Sequence, residues 1–222
     1  MRINIACGGN IFPGWVNSDL VDMNEAYLRH LRGLAVAQMH GWPPGQIELS
    51  RAITEGRVQF FQWDLRKGFP MYADGSCEKL YLGQAWEHLH PHREAPALAK
   101  ECFRLLELGG VMRITTPDIK KILGLYNDGR LSEIAPEQPA FFASASPEAQ
   151  LSYLLFGASG DDCTREDYHG HFHVWSEADL TELLVSVGFS SVERCDEPSL
   201  EFKYAGVQDF GISHSMGIEA VK

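Results

Sequence analysis

Six of the nine histidines fall into two alternating groups: His88, His90 and His92, then His169, His171 and His173. Alternation on an extended segment turns side chains to one side. Three imidazoles so placed can bind zinc or iron, with Asp161 or Asp162 completing a facial set. The same rings can act as general bases, because imidazole titrates near neutral pH. They can also do no more than pack and hydrogen-bond, holding neighbouring segments closed, and Pro91 interrupts the geometry of the first group. His171 and His173 are the first candidates for a base and His88 the third; no metal ligand is assigned. A different chemistry is suggested by Gly8-Gly9, Asp19, Asp64 and Gln84, each at the end of an apolar, strand-like run. Glycine lets a ligand approach the backbone closely, and a carboxylate at a strand end accepts hydrogen bonds from hydroxyl or amino groups. Taken singly, each is as well explained as a turn or cap residue.

The elements that must position these residues alternate along the chain. Strands are expected over residues 2–7, 15–20, 58–63, 79–83, 111–115, 192–195 and 217–221, where apolar and β-branched residues alternate between turn signals. Helices are expected over 23–39, stopped by Gly41 and Pro43-Pro44-Gly45, and more weakly over 46–54. Another is expected over 91–106, stopped by Gly109-Gly110. The helix over 176–187 carries Ser176 as N-cap, Asp179 three residues on and Gly188 after its last turn. This order predicts an α/β sheet with substantial parallel pairing. Residues 119–172 break the rhythm and are too long for a simple connection, so they are expected to form a lid carrying its own helices. Their aromatic residues, among them Tyr126, Phe141, Phe142, Tyr153, Phe156, Tyr168 and Phe172, suit either an apolar pocket wall or the insertion's own small core.

Composition narrows the function. The 222 residues suit one domain with an insertion, and 45% apolar with 22% charged residues is ordinary globular usage. Nineteen basic against thirty acidic residues give a net charge of −11 with no basic tract, which disfavours binding to a nucleic-acid backbone. No apolar run reaches the roughly 18 residues of a membrane span. Cys7, Cys77, Cys102, Cys163 and Cys195 form no CxxC pair, and with the strand-like N-terminus they point to a reducing, cytoplasmic setting.

Four segments together resemble the class I S-adenosylmethionine (SAM) dependent methyltransferases, in particular small bacterial members with a shortened first helical connection. They are Ile3 to Gly8 followed by Pro13 to Leu20; Trp86-Glu87-His88-Leu89; Arg104 to Gly110 with Thr116-Pro117-Asp118; and Leu183-Leu184 to Gly188-Phe189. The closing Met216 to Lys222 is similar to the family's last strand. The resemblance covers most of the chain outside 119–172. It implies a doubly wound, mostly parallel, seven-stranded Rossmann-like sheet with an inserted lid, forming a single domain over 1–222 with the lid at 119–172. It implies SAM as cofactor and S-adenosylhomocysteine as product. Ala6, Cys7, Gly8 and Gly9 would lie against the cofactor, Asp19 on its ribose, Asp64 and Leu65 beside its adenine, and Gln84 beneath its methionine portion. The expected reaction is O- or N-methylation of a small-molecule acceptor; neither nucleic acid nor membrane is expected as a partner, and a homodimer is compatible.

Three features set the chain apart from the family pattern. Ala6 stands at the first glycine position, and Gly83-Gln84 stands where relatives often carry Ser and His. Only residues 8–15 separate the first two strands, so the connecting helix must shrink to about a turn. These departures motivate a second reading, a non-catalytic relative used for binding or assembly, and the histidines a third, a metalloenzyme. A nicotinamide-binding reading fails because Gly8, Gly9 and Gly14 do not spell G-x-G-x-x-G.

Overall fold

A computed structural model describes residues 1–7, 10–20, 55–56, 58–134, 144–156, 170–209 and 214–222. The helices expected over 23–39 and 46–54, and Gly8, Gly9, Asp161, Asp162, Cys163 and His169, lie outside the described residues. Seven strands form one sheet: β1 (Arg2–Ile5), β2 (Val16–Asp19), β3 (Phe60–Gln62), β4 (Cys77–Gly83), β5 (Leu106–Pro117), β6 (Ser191–Arg194) and β7 (Ser215–Val221). Their order is β3-β2-β1-β4-β5-β7-β6. The first five strands pair in parallel, and β7 runs antiparallel to both its neighbours. This is the doubly wound, mostly parallel α/β sheet the sequence predicts.

Alternating side chains of the sheet serve two cores. Leu80 and Leu82 of β4 join Ile3, Ile5, Met112 and Ile114 on one face, where helices α1 (Glu94–Leu105) and α4 (Glu177–Val187) bury Leu98, Cys102, Leu105, Leu180 and Leu184. Each such side chain contributes about 1.5–3 kcal/mol by leaving water. Tyr81, between the two leucines, points to the other face and packs with Phe12, Trp15 and Phe202. Phe202 comes from the short helix α5 (Leu200–Tyr204), which the sequence reading does not anticipate. Arg113 of β5 is wholly buried there, bonded to Asp209, Glu219 and the Cys195 carbonyl. A Cβ on Gly217 would overlap that guanidinium and the same carbonyl. Glycine is therefore required where β7 passes it.

Helix α4 begins and ends as expected: the Ser176 hydroxyl accepts from the Asp179 amide at 3.1 Å, and Gly188 follows with φ 120°. Helix α1 does not end at Gly109-Gly110. It stops at Leu105, and Leu106 already belongs to β5. Cys77 pairs with Leu106 but Lys79 pairs with Val111, so β5 carries extra residues in a bulge. Gly109, with φ 77°, supplies the turn within that bulge. The glycine pair thus shapes the strand instead of stopping the helix.

The described part of 119–172 holds helix α2 (Ile119–Asn127), a 3-10 turn at Leu131–Glu133 and helix α3 (Pro147–Phe156). Ile122, Leu131, Ile134 and Leu154 bury one another, with Tyr126 and Tyr153 packed against them. These two tyrosines line the segment's own core. Asp118 starts α2 by accepting from the Lys120 amide at 2.9 Å. No helix among the described residues is long and apolar enough to cross a membrane, and no disulfide joins the four described cysteines.

The short connection between β1 and β2 is held by one side chain. Buried Asn17 accepts from the Phe12 amide and from Asn4 Nδ2, each at 3.0 Å. Its own amide nitrogen donates to the carbonyls of Phe12, Trp15 and Gln59, each at 3.1 Å. The described residues of the connection, 10–15, contain a turn in which the Trp15 amide donates to Phe12. Replacing Asn17 by Leu strands those backbone groups in the core. Asn17→Leu is expected to lower unfolding free energy by about 2–4 kcal/mol, read as a fall in the urea midpoint; a change under about 0.5 kcal/mol would remove this role.

Candidate functional site

In an open parallel sheet, ligands bind beyond the carboxyl ends of the strands, at the place where the strand order reverses. Here that place lies between β1 and β4, whose chains continue to opposite sides. The residues that leave these two strands, Ala6 and Gln84, share a feature. Each has φ 53°, and they are the only non-glycine residues with positive φ among those described. A left-handed backbone costs an L-residue roughly 1 kcal/mol or more and gathers where function requires a particular turn. Ala6 therefore keeps the conformation that a glycine would supply.

The other strand-end candidates lie around this pair. Cys7 is buried, and its thiol is pushed well up by burial and then by the nearby Asp19 carboxylate. Asp19 ends β2, is only partly buried, and has its backbone fixed by the Trp63 amide, which donates to its carbonyl at 2.7 Å. Gln84 Nε2 donates to Ser215 Oγ at 3.1 Å, and its backbone amide donates to the Thr115 carbonyl at 2.8 Å. Asp64 is differently engaged. It caps the 3-10 turn at Leu65–Lys67, and Arg66 Nε and Nη2 reach its two carboxylate oxygens at 2.8 and 2.9 Å. The Arg66 hydrogen bonds hold its carboxyl below the usual range. Leu65 is half-buried against the main core.

Among the described residues the first histidine group does not line up as its alternation suggests, and His169 of the second lies outside them. His88 closes a 3-10 turn, Trp86–His88, so the first group is not one extended segment. His90 and His92 face each other, ring centroids 6.0 Å apart. His88 instead meets His171, 5.1 Å away and edge to face. The His173 ring lies 4.6 Å from that of Trp175. His171 reaches His88 because residues 170–175 are laced to the turn after β4. The amides of Phe172 and His173 both donate to the Glu87 carbonyl, at 2.8 and 3.3 Å, and the His171 amide donates to Phe156 at 2.9 Å.

Glu87 is the residue to which the sequence reading assigns no role. It is 1% exposed, and Thr116 Oγ1 donates to its carboxylate at 3.0 Å. Burial raises its pKa to about 7. Its sequence signal is small: one acidic residue in a short run where Trp86 and Leu89 are also buried. Burial, then the neighbouring His88, lowers His171 to about 4. Burial likewise lowers His173. His214, at the start of β7, falls to about 4 through burial and then Lys121. Burial thus favours the uncharged form of all three rings.

By sequence, no family model and no curated protein matches this chain. By structure, it is similar to a SAM-dependent methyltransferase from Archaeoglobus fulgidus, with 13% identity and a TM-score of 0.50. The alignment covers 100% of this chain and 85% of that one. An O-methyltransferase family protein from Burkholderia thailandensis aligns at 15% identity and TM-score 0.48, covering 100% of this chain and 50% of its own. The CurJ carbon methyltransferase aligns at 11% and 0.49, over 99% and 47%. The chain thus spans about half the length of the last two. The fold is the Rossmann-like fold of the SAM-dependent methyltransferases.

The buried histidines set a pH dependence. Their pKa values of about 4 lie below the ordinary 6.5, so between these pH values the unfolded chain binds more protons than the folded one. Stability is full above 6.5 and falls as pH drops toward 4. Glu87 acts oppositely, weakening the fold as pH rises from 4.5 to 7. Its contribution cancels when a variant is compared with wild type at each pH. Between pH 7 and 4.5, His214→Gln is expected to lose about 1–3 kcal/mol less than wild type in urea unfolding; parallel losses would show that His214 is not a buried neutral ring.

Proposed function

We propose that this chain is a SAM-dependent methyltransferase acting on a small-molecule acceptor by O- or N-methylation, within the cytoplasm. The observation that carries this reading is the pair of left-handed residues, Ala6 and Gln84, at adjacent strand ends where the sheet order reverses. Strain of that kind persists only where the surrounding structure enforces it. Asp19, partly exposed one strand away, is placed to accept hydrogen bonds from ribose hydroxyls. Gln84, anchored by Ser215, would present its carboxamide oxygen beneath the methionine portion. Asp64 fits less well, since Arg66 already occupies both its oxygens.

When bound, SAM supplies a methyl group on a positively charged sulfur. The chain's own task is then to hold the acceptor in line, exclude water and take up a proton. Residues 119–173 would cover the acceptor, and the two helices with their own core give that cover a defined shape. Burial favours the uncharged form of His171 and His173, the form in which a base takes up a proton.

Calorimetric titration with SAM and S-adenosylhomocysteine tests the reading directly. Micromolar binding is expected, weakened about 10–100-fold in Asp19→Ala by loss of a charged hydrogen-bond acceptor, about 1–3 kcal/mol. Absence of binding by wild type would overturn the reading in favour of a binding or assembly module. In an acceptor screen, the double variant His171→Ala, His173→Ala is expected to lose about 10²–10⁴-fold in turnover while still binding SAM. Full turnover would exclude both rings as the base.

A further inference from the structure

Glu87, His88 and His171 each bring one possible ligand atom together: a carboxylate oxygen and two ring nitrogens lie within 4.8 Å of one another. In a formed site, bonds of about 2.0–2.2 Å place such atoms about 3–3.5 Å apart, so small side-chain rotations close the set. Three further observations separate this cluster from a chance meeting of surface groups. Glu87 is buried, yet among the described residues no Lys or Arg pairs with it, and its carboxylate accepts from the neutral Thr116 hydroxyl. Ionising a buried carboxylate that has no cationic partner is costly, and a bound cation is one way to offset that cost. The Nδ1 atom of His171 is also buried, with no hydrogen-bond partner among the described residues. Finally, the two segments that supply the ligands are locked together by the Phe172 and His173 amides on the Glu87 carbonyl, so the ligands stand on a braced frame.

We infer that Glu87, His88 and His171 form a three-ligand site for a divalent transition-metal ion. Two imidazoles and one carboxylate are the donor set of zinc, manganese, cobalt and ferrous iron; magnesium and calcium prefer oxygen throughout. Three protein ligands leave coordination positions open, and water or a substrate oxygen is the chemical class that fills them. This set differs from either alternating histidine group, because one histidine comes from each and the carboxylate is neither Asp161 nor Asp162. The site shares His171 with the methyl-transfer reading, where that ring is a candidate base, but cation binding and SAM binding are measured separately.

The test is titration of the metal-stripped full chain with Co²⁺, followed by its visible d–d absorption, with Zn²⁺ as competitor and SAM binding measured on the same samples. One equivalent of Co²⁺ is expected to bind with a Kd of about 10 µM or tighter, to be displaced by Zn²⁺, and to leave an absorption spectrum that Mg²⁺ does not alter. Glu87→Gln and His171→Ala are expected to weaken binding at least about tenfold, each checked for folding by circular dichroism. The exposed His92 supplies the control: His92→Ala should bind as wild type does. Should a variant fail to fold, the wild-type titration still decides. Absence of a Co²⁺ spectrum, equal displacement by Mg²⁺, or equal weakening in His92→Ala would overturn the proposal. SAM binding that persists in any of those cases leaves the methyl-transfer reading intact.

Discussion

The pairing of β1 with β4 is the constraint on which the carboxyl edge depends. The two strands are in register from Arg2 with Lys79 to Ile5 with Leu82, but the chain leaves them in opposite senses, β1 toward β2 and β4 toward β5. Two parallel neighbours that part in this way cannot fill the space beyond their ends with their own connections, and a crevice results. The backbone must bend sharply there to clear it. Ala6 and Gln84 both do so in a conformation that their side chains disfavour. The strain at both residues follows from that one adjacency in the sheet.

A second constraint is the brevity of the first crossover. Parallel strands are usually joined through a dozen or more residues, commonly a helix, which satisfies its own backbone groups. Here the backbone groups around β2 are satisfied by the carboxamide of Asn17 instead, which accepts two hydrogen bonds and donates to three carbonyls. Polar burial thus substitutes for a missing secondary element. The apolar side of the same connection, Phe12 and Trp15, packs over Tyr81 and Phe202, where the Trp15 indole donates to the Ala205 carbonyl at 2.8 Å. Residues distant in sequence therefore cover a face that a helix would otherwise protect.

Local signals made much of this fold readable in the sequence. Strand alternation located all seven strands to within a few residues, and Ser176 with Gly188 bounded α4 because a cap satisfies nearby backbone groups by short-range chemistry. Gly109-Gly110 misled for the same reason. A glycine pair after a helical run reads as a stop, whereas its actual work depends on β4 lying alongside. At the site, Asp19 and Gln84 were visible as strand ends, and Ala6 through the family resemblance alone. The meeting of His88 with His171 was not, because alternation describes one extended segment and this contact joins two segments through the Glu87 carbonyl. Nor does a lone Glu reveal that it will be enclosed. Its environment is made by Thr116 and residues 170–175, none of them near it in sequence.

The position of β7 has a bearing on how the molecule is made. Residues 215–221 lie between β5 and β6, bonding to both and running against both. A ribosome releases β5 and β6 well before it releases the strand that bridges them. Until Val221 has cleared the exit tunnel, the edge of β5 displays an unpaired row of amides and carbonyls, and β6 has no sheet to join. Unless a chaperone or a bound ligand shields it, that edge is the part of the nascent chain most open to pairing with another copy.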